Sequence, residues 1–199
     1  TVCTVKMSSE KIVTASYLLG QTITFNAAPT VIYKGTGIVT ATGGGSNNPV
    51  IFSSLTGTVC SVSGSTVTGL AAGMCTITAN QTGNGSYSAA PQATLSFPIA
   101  KTTQTIAFGA KPSVAVGKTG TVSATSSSGL AVILSSATTG VCTIAGETVS
   151  GKVAGQCRIV ANQPGDNNYD AAPQSTQWFC VGGGICKSNI MPIIRLLLD

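Results

Sequence analysis

Residues 58–92 read TVCSVSGSTVTGLAAGMCTITANQTGNGSYSAAPQ, and residues 140–174 read GVCTIAGETVSGKVAGQCRIVANQPGDNNYDAAPQ. The two stretches align without a gap at an offset of 82, and more than half of the positions after the first cysteine are identical. Upstream, QTITFNAAPTVIYKGTGIVTAT from Gln21 matches QTIAFGAKPSVAVGKTGTVSAT from Gln104 at an offset of 83. One residue of difference between the loops GGGSNNP and SSSGLA absorbs the change. Self-similarity at a fixed period marks a tandem array. The chain of 199 residues therefore reads as two domains, 21–100 and 101–181, with an extended segment 1–20 before them and an apolar segment 182–199 after them.

Within one copy the pattern is that of short strands. Strands are expected near residues 22–25, 37–42, 50–53, 58–62, 66–68, 75–79 and 93–99, separated by Gly, Ser, Asn and Pro clusters. That spacing is typical of β-sandwiches. In CTITA, Cys75, Ile77 and Ala79 should face one way and Thr76 and Thr78 the other, because side chains alternate along a strand. No segment keeps a helical period, so the fold class is all-β.

Composition narrows the function. Charged residues make up 8% of the chain and aromatics 5%, whereas Gly, Ser, Thr and Ala are abundant. There is no histidine, which removes imidazole bases, Ser-His-Asp triads and histidine metal ligands. The carboxylates are Glu10, Glu147, Asp166, Asp170 and Asp199. The first repeat holds none of them, so neither a carboxylate pair for glycoside hydrolysis nor a repeated calcium site is expected. The chain reads as no enzyme, without cofactor or metal. Its net charge of +5 comes from singly scattered Lys and Arg, so nucleic acid is not an expected partner. No apolar run reaches the roughly 18–20 residues of a membrane-spanning helix.

The frame V-x-x-x-G-x-x-V-x-x-x-x-x-G-x-x-x-I in residues 58–80, closed by ANQTGNGSYSAAPQATLSF, resembles the bacterial immunoglobulin-like, or Big-type, repeats of secreted and surface proteins. It looks like their cysteine-containing subgroup. The resemblance covers residues 21–99 and 104–181 and implies two tandem immunoglobulin-like β-sandwich domains with extended terminal strands. Repeats of this family serve as spacers, stalks, adhesins or fibre units, and the resemblance implies a place outside the cell or on its surface.

Cys60 and Cys75 recur as Cys142 and Cys157, with the same spacing and place in the repeat. One disulfide per domain is the economical reading. A redox pair would call for C-x-x-C or a basic flank, and neither is present. Closing a loop of about 15 residues stabilises by roughly 3 kcal/mol in the chain-entropy model. Cys180 and Cys186 flank VGGGI, whose glycines allow a tight turn and a local disulfide. Cys3 is then odd, available for a bond to another chain; a link from Cys3 to Cys180 or Cys186 is the alternative. Seven cysteines so arranged fit an oxidising compartment.

Tyr87 and Tyr169 stand at matched positions before AAPQ, each read as pinning a loop to its sandwich rather than stacking on sugar. Asn80 and Asn84 head the glycosylation sequons Asn80-Gln81-Thr82 and Asn84-Gly85-Ser86. Trp178, the single Trp, is the one anchor for a reading as a carbohydrate-binding module.

The ends break the repeat. TVCTV at the start copies TVCSV at Thr58, and the chain begins without a Met, as expected of a processed protein or a piece of a longer one. Cys3, Val5 and Met7 share an apolar face, as do Val13, Ala15, Tyr17 and Leu19; at the other end Ile190, Ile194, Leu196 and Leu198 do so. Such strands are satisfied by adding to the open edge of a sandwich. Addition head to tail between copies does not close and makes a filament. The leading expectation is therefore a structural subunit of an extracellular bacterial fibre, a homopolymer joined by strand addition. The alternative is a spacer, stalk or adhesive fragment of a long surface protein, with host or surface glycans as partners.

Overall fold

The structure, a computed structural model, describes residues 17–183 and Cys186. Cys3, Val5, Met7, Val13, Ala15, Ile190, Ile194, Leu196 and Leu198 lie outside the described residues. The chain divides into two compact units between Ile99 and Ala100.

The first unit is built from β1 (Thr24–Phe25), β2 (Val31–Ile32), β3 (Thr36–Ile38), β4 (Ala41–Thr42), β5 (Ile51–Ser54), β6 (Cys60–Ser63), β7 (Thr66–Gly69), β8 (Gly73–Asn80) and β9 (Ala93–Ala100). One sheet has the order β2-β9-β8-β5, a second the order β3-β7-β6, and β1 pairs with β4 as a ribbon. The second unit repeats this with β10 (Ile106–Phe108), β11 (Thr119–Thr121), β12 (Ala124–Ser126), β13 (Ile133–Ser136), β14 (Cys142–Ala145), β15 (Thr148–Gly151), β16 (Gly155–Asn162) and β17 (Ser175–Val181). Its sheets are β13-β16-β17 and β11-β15-β14, with the β10-β12 ribbon. Where β2 joins the larger sheet of the first unit, the second has a single parallel bridge, Val114 to Val181. The chain is thus all-β, two immunoglobulin-like sandwiches in tandem.

Each core lies between the two sheets and uses the same positions. Val31, Val39, Cys60, Val67, Cys75, Ile77, Phe97 and Ile99 are buried in the first unit. Val114, Val122, Cys142, Val149, Cys157, Ile159, Phe179 and Val181 are buried in the second. Only the last position differs in residue type, Ile99 against Val181. Small aliphatic residues suffice because a disulfide sits in the middle. Cys60 on β6 bonds to Cys75 on β8, and Cys142 on β14 to Cys157 on β16, with Cα–Cα distances of 5.7 and 5.8 Å. Each bond ties one sheet to the other.

The strands differ from expectation in three places. The run 37–42 is two strands because the chain changes partner: β3 pairs with β7, with Val39 N–H still donating to Ser65 O at 2.9 Å, and β4 pairs with β1. β2 has no counterpart among the expected strands; the Pro29 before it reads as a breaker. Thr78, expected to face outward, is buried, and its hydroxyl donates to Ser53 O at 3.4 Å.

Candidate functional site

The feature that recurs in both units outside the cores is a loop that receives the incoming chain. In the first unit, Leu19 N–H donates to Ser86 O at 2.8 Å and Ser88 N–H donates to Leu19 O at 2.9 Å, forming a parallel bridge between Leu19 and Tyr87. In the second, Thr102 N–H donates to Asn168 O and Asp170 N–H to Thr102 O, both at 3.0 Å, forming the bridge between Thr102 and Tyr169. Leu19 therefore occupies the place that Thr102, just past the join between the repeats, occupies in the second unit. Leu19, placed by the sequence reading in the segment 1–20, is thus bonded to the loop of the first unit.

The loop is shaped by one side chain. Asn84 Oδ1 accepts the N–H groups of Ser86 and Tyr87 at 2.8 and 3.0 Å, and Asn84 N–H donates to Tyr87 O at 2.9 Å. Asp166 does the same for Asn168 and Tyr169 at 2.7 and 2.8 Å. Short Asx side chains favour such turns because their oxygen reaches backbone N–H groups two and three residues on. The chain passes so close to itself here that a Cβ on Gly83 or Gly165 would run into the carbonyl of Tyr87 or Tyr169. Gly165 also holds a φ of +79°, which favours glycine.

Buried glutamines fix this loop to the sandwich. Gln21 Nε2 donates to Ser88 O at 2.7 Å and Thr82 O at 3.2 Å, while its Oε1 accepts Ser46 N–H at 2.9 Å. Gln81 Nε2 donates to Asn48 O at 2.8 Å and its Oε1 accepts Gly44 N–H at 2.7 Å. In the second unit Gln104 Nε2 donates to Asp170 O at 2.7 Å and to Gln163 Oε1. These residues carry no sequence signal except recurrence: the same Gln opens QTI and closes ANQ in both copies.

The remaining sequence-selected residues are placed as follows. The Tyr87 ring packs against the backbone at Gly45, where a side chain would have no room. Asn80 and Asn84 are exposed; Asn80 Oδ1 accepts from Gln92 Nε2 at 3.1 Å, and Asn84 Nδ2 donates to Ser46 O at 3.1 Å. Tyr17 and Leu19 do not cover an apolar face: they are 84% and 59% exposed, and Leu18 between them is 52% exposed. Cys180 and Cys186 are bonded to each other at a Cα–Cα distance of 5.5 Å and are half-buried, unlike the four core cysteines. Gly182 and Gly183, with φ of +99° and +71°, turn the chain back there. The Arg158 guanidinium lies 5.2 Å from the Trp178 ring centroid, opposite it across β16 and β17. It lies over one face of the indole, and Trp178 is 40% exposed. The matching pair in the first unit is Thr76 with Ser96, hydroxyl to hydroxyl at 2.9 Å. Among the described residues no cluster of three His, Cys, Asp or Glu could hold a metal. No helix there is long and apolar enough to cross a membrane.

No family model matches this chain, and no curated protein matches it. Two solved structures are similar in part. Extracellular cadherin domains 1 to 4 of protocadherin gamma B7 share 12% identity over 82% of this chain and 50% of that one, with a TM-score of 0.33. The C-terminal 282-residue fragment of intimin, solved with the intimin-binding domain of the translocated intimin receptor, shares 15% identity over 81% of this chain and 64% of that one, with a TM-score of 0.28. The chain spans less than two thirds of either.

Proposed function

We propose that the chain is a non-catalytic structural segment of an extracellular protein, a run of tandem sandwich repeats that sets other parts of the molecule at a distance from a cell surface. The observation that carries this reading is the repeated grip on the incoming chain. The loop holding Leu19 is built like the loop that holds Thr102, just past the join between the repeats. Units of a spacer need such an entry, and need little else than a stable core. Three disulfides favour an oxidising compartment. The absence of histidine and of any carboxylate in the first repeat speaks against acid–base chemistry.

A fibre subunit joined by strand addition is the second reading, and a specific observation favours it. Tyr17, Leu18 and Leu19 expose consecutive apolar side chains, and the edge strands β5 and β13 expose Ile51 and Ile133 at 60% and 59% without a charge on either strand. Uncharged edges are sites where another strand can pair. Electron microscopy and light scattering of the purified chain separate the two. A spacer stays monomeric whether or not residues 1–16 or 188–199 are removed. A fibre subunit grows into filaments and stops growing when either is deleted.

A further inference from the structure

We infer that Asn84 is a self-modifying site, at which the folded loop promotes conversion of the asparagine to aspartate and isoaspartate. Asn84-Gly85 is the one Asn-Gly dipeptide of the chain, and both residues are exposed. A Cβ built on Gly85 meets nothing within 4 Å, so an alanine fits there without disturbing the loop. The Gly85 N–H donates to no other group in the loop. Most telling is the cradle around Asn84 Oδ1, where the N–H groups of Ser86 and Tyr87 converge at 2.8 and 3.0 Å. Two N–H donors at that range around a carbonyl oxygen are the arrangement that stabilises the negative charge of a tetrahedral intermediate.

The step balances without any oxidant or reductant. The Gly85 nitrogen attacks Asn84 Cγ and gives up its proton to water, while charge builds on Oδ1 inside the cradle. Nδ2, hydrogen-bonded to Ser46 O, then takes up a proton from water, the Cγ–Nδ2 bond breaks and ammonia leaves, closing a succinimide. Water opens the ring at one carbonyl to give aspartate, or at the other to give isoaspartate. Water enters, ammonia departs, and one negative charge appears in a repeat that otherwise has no carboxylate.

The second unit holds the counterpart of the aspartate product. Asp166 stands at the matched position, and its carboxylate oxygen accepts the same two N–H groups, those of Asn168 and Tyr169. Aspartate at position 84 therefore keeps the loop and its hold on Leu19. Isoaspartate, with its extra backbone methylene, shifts the bond from Asn84 N–H to Tyr87 O and loosens that hold. The ratio of the two products decides whether conversion is silent or frees the incoming chain.

The test uses the full disulfide-bonded chain without glycan, held at mildly alkaline pH and followed by intact mass, isoelectric focusing and peptide mapping. Conversion is expected at Asn84 and nowhere else, about tenfold or more faster in the folded chain than in the same chain unfolded in urea, given what such donors contribute. Gly85→Ala should abolish it while leaving the fold intact. The paired substitutions Asp166→Asn and Asn167→Gly move the dipeptide into the second cradle and should start conversion there. Equal or faster conversion in urea, conversion spread over Asn80 and Asn167, or a silent transplanted site overturns the inference.

Discussion

At the residue scale, four cysteines and a few glutamines add to what the apolar cores supply. The core disulfides lie where aromatic mass is scarce, so each should account for a large share of its unit's stability. Replacing both Cys142 and Cys157 by Ala is expected to cost about 2–5 kcal/mol. Trp178, on β17, reports on that unit, so a lowered denaturant midpoint in its fluorescence checks the figure. Gln21→Ala leaves Ser88 O and Ser46 N–H without their partner, while Thr82 O keeps its bonds from Ser46 Oγ and Asn48 Nδ2. The expected loss is about 1–3 kcal/mol, with faster hydrogen exchange at Ser46 as the local sign. The sequence made the cysteines legible, since Cys60 and Cys75 recur in register with Val67 and Ile77. It hid the glutamines, because a single Gln reads as surface and only its burial against backbone carbonyls gives it a role.

At the scale of elements, the recurring unit is a loop and the strand end it receives. Gly165→Ala places a Cβ against the Tyr169 carbonyl at a φ of +79°. Such strain costs about 1–3 kcal/mol, and the loss of the Thr102 bridge should appear as raised exchange at Asp170, whose N–H donates to Thr102 O. The matched substitution Gly83→Ala should do likewise at Ser88. Strand alternation in CTITA foretold the inward Cys75, Ile77 and Ala79. It missed the burial of Thr78, which depends on how tightly β5 packs alongside β8, a long-range fact. The break between β3 and β4 was equally invisible, because the run from Gly37 to Thr42 alternates as one strand and only long-range pairing, first with β7 and then with β1, divides it. At the start of the first unit, Leu19 pairs through its backbone, and its side chain and that of Tyr17 are exposed.

At the scale of the whole molecule, the distribution of charge leaves the first unit without a group that responds to acid. Residues 17–99 contain no Asp, Glu or His. Folded and unfolded forms of that unit then bind the same number of protons between about pH 2 and 8, and the slope of stability with pH is zero there. Native-state hydrogen exchange across residues 17–99, corrected for intrinsic rates, should give a flat stability over that range. A slope would show that groups outside the unit act on it. The inter-sheet disulfides have another consequence for a chain that joins distant points. If such a chain is pulled from its two ends until a unit gives way, the residues between Cys60 and Cys75 stay out of the line of tension. They span a sequence separation of 15 with Cα atoms 5.7 Å apart. At about 3.4 Å per extended residue, each unit then yields about 45 Å less length than its residue count allows. The withheld length is released only by a reductant, so the reach of the stretched molecule is set by the redox state of its surroundings as well as by the load.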